Sequence, residues 1–207
     1  MYRLVYILLF VLIWSCADKK FNPDWTNEQA PDVFTAKFET TKGEFEITVT
    51  RRLSPKAADR FFQLVQHGYY DKALFYRVVP KFVAQFGNTD TIQMNQWKSV
   101  KIPDEPVLQG NTKGTISFAR FGKESRDTEL FINLNDNTAL DTLNFEGVKG
   151  FPTFGNVTKG LETVEKLYAG YGENTMSDEN LYRNPSLFYQ SYPKLDLINK
   201  AYVIENQ

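Results

Sequence analysis

The chain is poor in the side chains that most enzymes use for covalent or metal chemistry. Among 207 residues there is one cysteine, Cys16, and one histidine, His67. A single cysteine excludes an internal disulfide. A single histidine excludes a His-rich metal site and an ordinary nucleophile–histidine triad. An excess of one charge is lacking too: 24 Lys and Arg stand against 25 Asp and Glu, a formal net charge of −1. A nucleic-acid binder carries a basic stripe that neutralises phosphates, and this balance argues against one. The acidic pairs Asp104-Glu105 and Asp178-Glu179 lack Ca²⁺-loop spacing and read as exposed loop acids. No metal or other cofactor is expected. What the chain does have is aromatic material for a core, 17 Phe and 11 Tyr, in a length that suits one domain plus an extra segment.

Its longest apolar run stands at the N-terminus. Met1-Tyr2-Arg3 is a short basic start, Leu4 to Trp14 is apolar, and Ser15-Cys16 follows. The run is shorter than the roughly 20 residues that span a bilayer. Residues 1–15 therefore read as a signal peptide. Ile13-Trp14-Ser15-Cys16 resembles a bacterial lipobox, which implies cleavage before Cys16 and acylation of that residue as the lipid attachment. A plain signal peptide or an uncleaved anchor is the alternative. Several acyl chains anchor stably, so the resemblance implies a protein held to a membrane of the bacterial cell envelope. Ala17, where Asp would signal inner-membrane retention, favours the outer membrane and its periplasmic face. Residues 16–32, polar with Pro and Asn, read as a tether.

Beyond the tether, Ala36 to Thr40 and Glu44 to Val49 alternate apolar and polar residues, the period of half-buried strands. Thr41-Lys42-Gly43 is the turn between them. Ser54-Pro55 opens a helix, with Ser54 as N-cap, and Gly68 stops it. His67 falls at its end, where a contact with the helix dipole is expected. Leu74 to Gly87 reads as two strands split at Pro80-Lys81, and Thr89 to Gly110 as a loop. Gly114–Ala119, Glu129–Leu134 and Thr153–Val157 read as strands, Leu161–Tyr168 as a second helix, and Leu195–Glu205 as a last strand. Asn135 to Thr138 is turn material. Asp178 to Tyr192 looks like an irregular insertion. Many short strands and two helices predict a mainly β domain over 33–207, a closed antiparallel barrel capped by two α-helices, with insertions near 89–110 and 170–194.

One strand carries a residue that does not suit a core. In LFYRVVPKFVAQFG, Leu74 to Gly87, Arg77 is the only charge before the turn. Taken alone, an arginine on a strand is a surface residue with its stem packed and its head in water. The pattern around it resembles the catalytic-arginine block of the cyclophilin-type peptidyl-prolyl cis–trans isomerases, from Phe75 to Gly87, with Lys81 in place of the usual Gly. Further blocks follow in family order: GTISFAR (Gly114–Arg120), TELFINLNDNTALD (Thr128–Asp141) and FPTFGNVTKGLETVEKL (Phe151–Leu167). The resemblance covers roughly Phe34 to Glu205 and implies a cyclophilin-like barrel. It also implies isomerisation of X–Pro bonds in proline-containing polypeptides, here exported proteins at the envelope, by an enzyme expected to be a monomer.

The reaction suits such a chain. An X–Pro bond has a barrier of about 18–20 kcal/mol, which is the amide resonance lost on twisting. A donor aimed at the prolyl nitrogen or the adjoining carbonyl lowers it without covalent chemistry. The resemblance assigns Arg77 as that catalytic donor. It implies a proline pocket of Phe82, Val83, Phe131 and Leu140, with Phe151 standing where His is common. It implies that Gln85 fixes the arginine and the substrate backbone, and that Ala119 and Arg120 pair with an extended substrate. Glu129 stands where the family has Gln, and the expectation is that it contacts substrate or pairs with Arg77 or Arg120. Ala139 replaces a Trp of cyclosporin-sensitive members, which implies weak cyclosporin binding. Two other readings stay open: a cyclophilin-fold module that binds Pro-containing peptides with little turnover, and an unrelated barrel with an interior apolar cavity.

Overall fold

The computed structural model describes residues 21–87 and 90–204. The signal peptide, Cys16, the tether up to residue 20, Thr89 and Glu205 lie outside the described residues. β1 (Val33–Thr40) and β2 (Gly43–Thr50) pair antiparallel from Val33 opposite Thr50 to Thr40 opposite Gly43. Their alternation sends Phe34, Ala36, Phe38, Phe45, Ile47 and Val49 into the core. The turn rests on Gly43, whose φ of 123° is open to glycine.

β3 (Leu74–Val79), β4 (Val83–Gly87), β5 (Thr115–Phe118), β6 (Leu130–Asn133), the two-residue strands β7 (Asn144–Phe145) and β8 (Val148–Lys149), β9 (Thr153–Lys159) and β10 (Ile198–Ile204) complete the strands. Eight of them form one antiparallel sheet in the order β10-β1-β2-β9-β5-β6-β4-β3. The expected closed barrel is not what forms: the sheet curls into a half-barrel. Its end strands meet at a single bridge, Leu74 with Leu197, flanked by Lys72 N–H to Ile198 O (2.8 Å) and Phe75 N–H to Asp196 O (3.0 Å). β10 is already laddered to β1 and begins where β3 begins, so the two edges touch only at their starts. The side left open is covered by the 170–194 insertion, which packs Leu181 and Phe188, joined by Leu195 just after it, on Leu74 and Tyr76.

The helices number more than the two expected. α1 (Pro55–Gln66) buries Ala57, Ala58, Phe61, Leu64 and Val65 against the sheet. Its N-terminus is not capped by the Ser54 side chain. The Glu105 carboxylate accepts from Lys56 N (2.9 Å), Ala57 N (3.2 Å) and the Ser54 hydroxyl, and also from the buried Arg126 (3.1 Å). Glu105 is thus a structural cap and not an exposed loop acid. α2 (Thr91–Lys98) lies inside the segment expected as a loop. Asp90 caps it, and Met94 and Trp97 are its buried residues, too sparse a stripe to show as a period. α3 (Leu161–Glu165) is shorter than expected. α4 (Asn180–Arg183) and α5 (Pro185–Ser191) order the insertion, α5 opening on the Asn184 cap with Pro185 at its first position.

Residues 21–32, expected as tether, lie on the domain. Phe21 packs edge-on to Trp97 at 5.1 Å, Trp25 stacks on His67 at 4.0 Å, and Ala30 is buried. His67, which caps α1, also meets the Glu28 carboxylate at 2.8 Å.

Candidate active site

A break in strand alternation aims Arg77. Along β3, Leu74 pairs with Gly87 and Arg77 with Gln85, so Phe75 and Tyr76 together oppose Phe86. That is a β-bulge, a device that re-aims a side chain. Phe75 and Val78 both enter the main core, Tyr76 goes under the insertion, and Arg77 stands on the outer face directly across from Gln85.

The guanidinium has three hydrogen bonds. Nη1 donates to Gln85 Oε1 at 2.9 Å; Nε and Nη2 donate to the two Glu173 oxygens at 2.8 and 2.7 Å. Its carbon lies 5.4 Å from the Phe82 ring centroid. Beside it opens a groove of about 150 Å³ lined by Arg77, Phe82, Val83, Gln85, Ala119, Arg120, Phe131, Leu140 and Phe151, together with Phe121 and Met176. The phenyl rings of Phe131 and Phe151 meet edge to face at 5.8 Å on its wall. An always-charged donor at the rim of an apolar groove polarises a carbonyl or an amide nitrogen without moving a proton.

Three asparagines, Asn111 and Asn133 buried and Asn137 half-buried, hold the walls in place. Asn137 Nδ2 donates to Phe82 O (2.8 Å) and Asn133 Oδ1 (2.7 Å), and Asn133 Nδ2 donates to Asn111 Oδ1 (3.1 Å). Asn111 Nδ2 donates to Phe151 O and to Asp141, both at 2.8 Å. The loop backbones bearing Phe82, Leu140 and Phe151 are thereby tied to one polar cluster. Arg120 has its side chain fully buried, 4.6 Å over the Phe151 ring, with Nη2 on Val148 O at 2.9 Å. Burial lowers its pKa. Ala119 N–H is engaged within the sheet, on Glu129 O at 2.8 Å.

Among the described residues expected at the site, Glu129 alone does not line the groove. It is buried behind it, where Tyr76 OH donates to Oε2 at 2.5 Å, and it pairs with neither Arg77 nor Arg120. A Cβ on Gly87 would lie 2.0 Å from Oε2, so only glycine leaves room for this carboxyl. Burial, the dominant cause, pushes its pKa up to about 8. The carboxylate that does reach Arg77, Glu173, comes from the insertion, where sequence pattern carried no signal. Phe121 and Met176 were missed for the same reason: Phe121 lies in the loop after β5 and Met176 in the single 3-10 turn Asn174–Ser177, neither long enough to show a period.

A curled antiparallel sheet with helices at its ends and an apolar groove on its outer face is a cyclophilin-like architecture. Comparison with known proteins agrees. The family model described as "Cyclophilin type peptidyl-prolyl cis-trans isomerase/CLD" matches residues 35–185. Peptidyl-prolyl cis-trans isomerase A of Dickeya dadantii is 32% identical over 151 residues, covering 70% of this chain and 77% of that protein. A peptidyl-prolyl cis-trans isomerase of Acinetobacter baylyi is 30% identical over 133 residues, covering 63% of this chain and 70% of that protein. In fold, the chain resembles a cyclophilin-type isomerase of Cryptosporidium parvum with a TM-score of 0.60 at 17% identity, covering 84% of this chain and 99% of that one. The chain belongs to the cyclophilin-type peptidyl-prolyl cis–trans isomerase family, an enzyme class that acts on X–Pro bonds.

Proposed function

We propose that the isomerase step takes place in the groove beside Arg77 and serves the folding of exported proteins, with the enzyme held to a bacterial membrane by lipid on Cys16. The observation that carries the site is the register of Arg77 against Gln85 beside the apolar wall of Phe82, Phe131, Leu140 and Phe151. The wall takes the proline ring while Arg77 donates to the twisting amide, which favours the nonplanar form over the planar one. Slow prolyl steps limit folding after export, and the lipobox-like IWSC favours an outer-membrane enzyme facing the periplasm. Arg77→Ala is expected to keep its fold and lose about a hundredfold in kcat/KM on a proline peptide. A folded variant with wild-type kcat/KM sinks the assignment. Loss of acyl label from Cys16→Ala tests the anchor.

One contact favours a second reading, a module that holds Pro-containing peptides and turns them over slowly. Glu173 occupies two Arg77 donors and offsets its charge. If it competes with substrate, Glu173→Gln raises kcat/KM by about two- to fivefold, the range of a modest exposed ion pair. Tight peptide binding with no rate enhancement in both proteins decides for the binding module.

A further inference from the structure

Behind Arg77 runs a chain of hydrogen bonds that ends on a buried carboxyl. Arg77 Nη1 donates to Gln85 Oε1 at 2.9 Å, Gln85 Nε2 to Tyr76 OH at 2.8 Å, and Tyr76 OH to Glu129 Oε2 at 2.5 Å. Gln85, Tyr76 and Glu129 are each 3% exposed or less, so water does not replace a missing partner.

The direction of the chain is what matters. Arginine only donates, so to hold it Gln85 has to turn its carbonyl oxygen towards Nη1, which leaves its NH₂ facing Tyr76. The phenol then accepts from Gln85 and needs an acceptor for its one proton. An ionised carboxylate only accepts, and therefore fixes all three bonds in this sense. Without an acceptor there, the phenol proton turns to Gln85 or to the neighbouring Tyr182 hydroxyl, and donation to Gln85 turns the amide over and sets an NH₂ against the arginine N–H.

We propose that Glu129, acting through Tyr76, is a positioning residue that sets the Gln85 amide and thereby the aim of Arg77. The proposal rests on the groove beside Arg77 being the site of isomerisation. It gives Glu129 a place behind the pocket and not on the substrate.

The role carries a pH signature. The groups around Glu129 are Tyr69, Tyr70 and Tyr76, Tyr182 of α4, Lys98 of α2, and Asp127 just before β6. Burial pushes all four phenols up, so they keep their protons near neutrality. Burial holds the proton on Glu129 and Asp127 adds to it, against the Tyr76 and Thr128 hydrogen bonds and Lys98, so the pKa is pushed up to about 8. Below that pH the protonated acid is able to donate to Tyr76, and both directions of the chain are open. Above it, only the direction that holds Arg77 remains. Activity should therefore rise with pH through this range.

The test is kcat/KM from pH 6 to 9.5 on a proline peptide with no titrating group, for wild type, Arg77→Ala, Tyr76→Phe, Glu129→Leu and Glu129→Gln. Wild type is expected to rise about threefold or more with a midpoint near pH 8. Tyr76→Phe and Glu129→Leu should fall about tenfold, the loss of one buried hydrogen bond, and lose the step. Glu129→Gln, which still offers an acceptor and does not titrate, should recover most of the Leu loss with a flat profile. A flat wild-type profile, or a step that persists in Glu129→Gln, overturns the positioning role while leaving Arg77 its own. An Arg77→Ala enzyme as active as wild type overturns the reading of the groove itself.

Discussion

At the scale of single residues, the family position next to Pro80 shows how a local cost is carried. The turn between β3 and β4 closes with Phe82 N–H on Val79 O at 3.0 Å, and Lys81 sits there with φ of 61°. Left-handed backbone costs a side-chain-bearing residue roughly 1–2 kcal/mol, and the usual family residue here is Gly. Lys81→Gly should therefore raise stability by about 0.5–1 kcal/mol, after the extra freedom glycine gives the unfolded chain. Chemical denaturation checks it, and a lower unfolding midpoint refutes the account. The arginine itself was legible from Phe75 to Gly87 because residue types at fixed spacing survive divergence. Its ion-pair partner was not: Glu173 lies 96 residues away and meets Arg77 only through folding.

At the scale of elements, hydrogen-bond donors at a helix end found an acceptor that sequence adjacency did not suggest. Ser54-Pro55 marked the start of α1, yet the N-terminal N–H groups and the Arg126 guanidinium converge on Glu105. Truncating it strips the cap and leaves a buried cation unpaired, so Glu105→Ala should cost about 3 kcal/mol. Thermal unfolding measures this; a loss under 1 kcal/mol would show that the Arg126–Pro103 and Arg126–Ser54 bonds suffice. The bulge in β3 is an element-scale fact as well. Strict alternation puts Arg77 on the face of Phe75, and only pairing with β4 shows the extra residue that turns it outward.

At the scale of the molecule, the insertion completes what the sheet leaves open. Leu181 and Phe188 of the insertion, with Leu195 just after it, cover Leu74 and Tyr76 at the side where the two end strands meet by one bridge. The same segment delivers Glu173 to Arg77 and Met176 to the groove, so the cover and the site share one support. Phe188 is fully buried. Phe188→Ala should destabilise by about 3–4 kcal/mol and speed amide exchange along β3 before β1 and β2. Unchanged exchange at β3 would mean that the half-barrel edge holds without its cover.

The sequence by itself determined the mainly β class, the hairpins, α1 and, through its resemblance to the family blocks, most of the groove-lining set around Arg77. Period-2 alternation and residue types at short spacing are local properties, and they also carried the order of the family blocks. Only the tertiary structure decided the open edge of the sheet, the helices of the 89–110 and 170–194 segments, the Asn111–Asn133–Asn137 cluster, and the placement of Glu129 behind the pocket with Glu173 in front of it. Each of these depends on which distant groups share a buried space. Burial and hydrogen-bond partnership, which give a carboxylate its role, are set by the packed fold and not by neighbours in the chain.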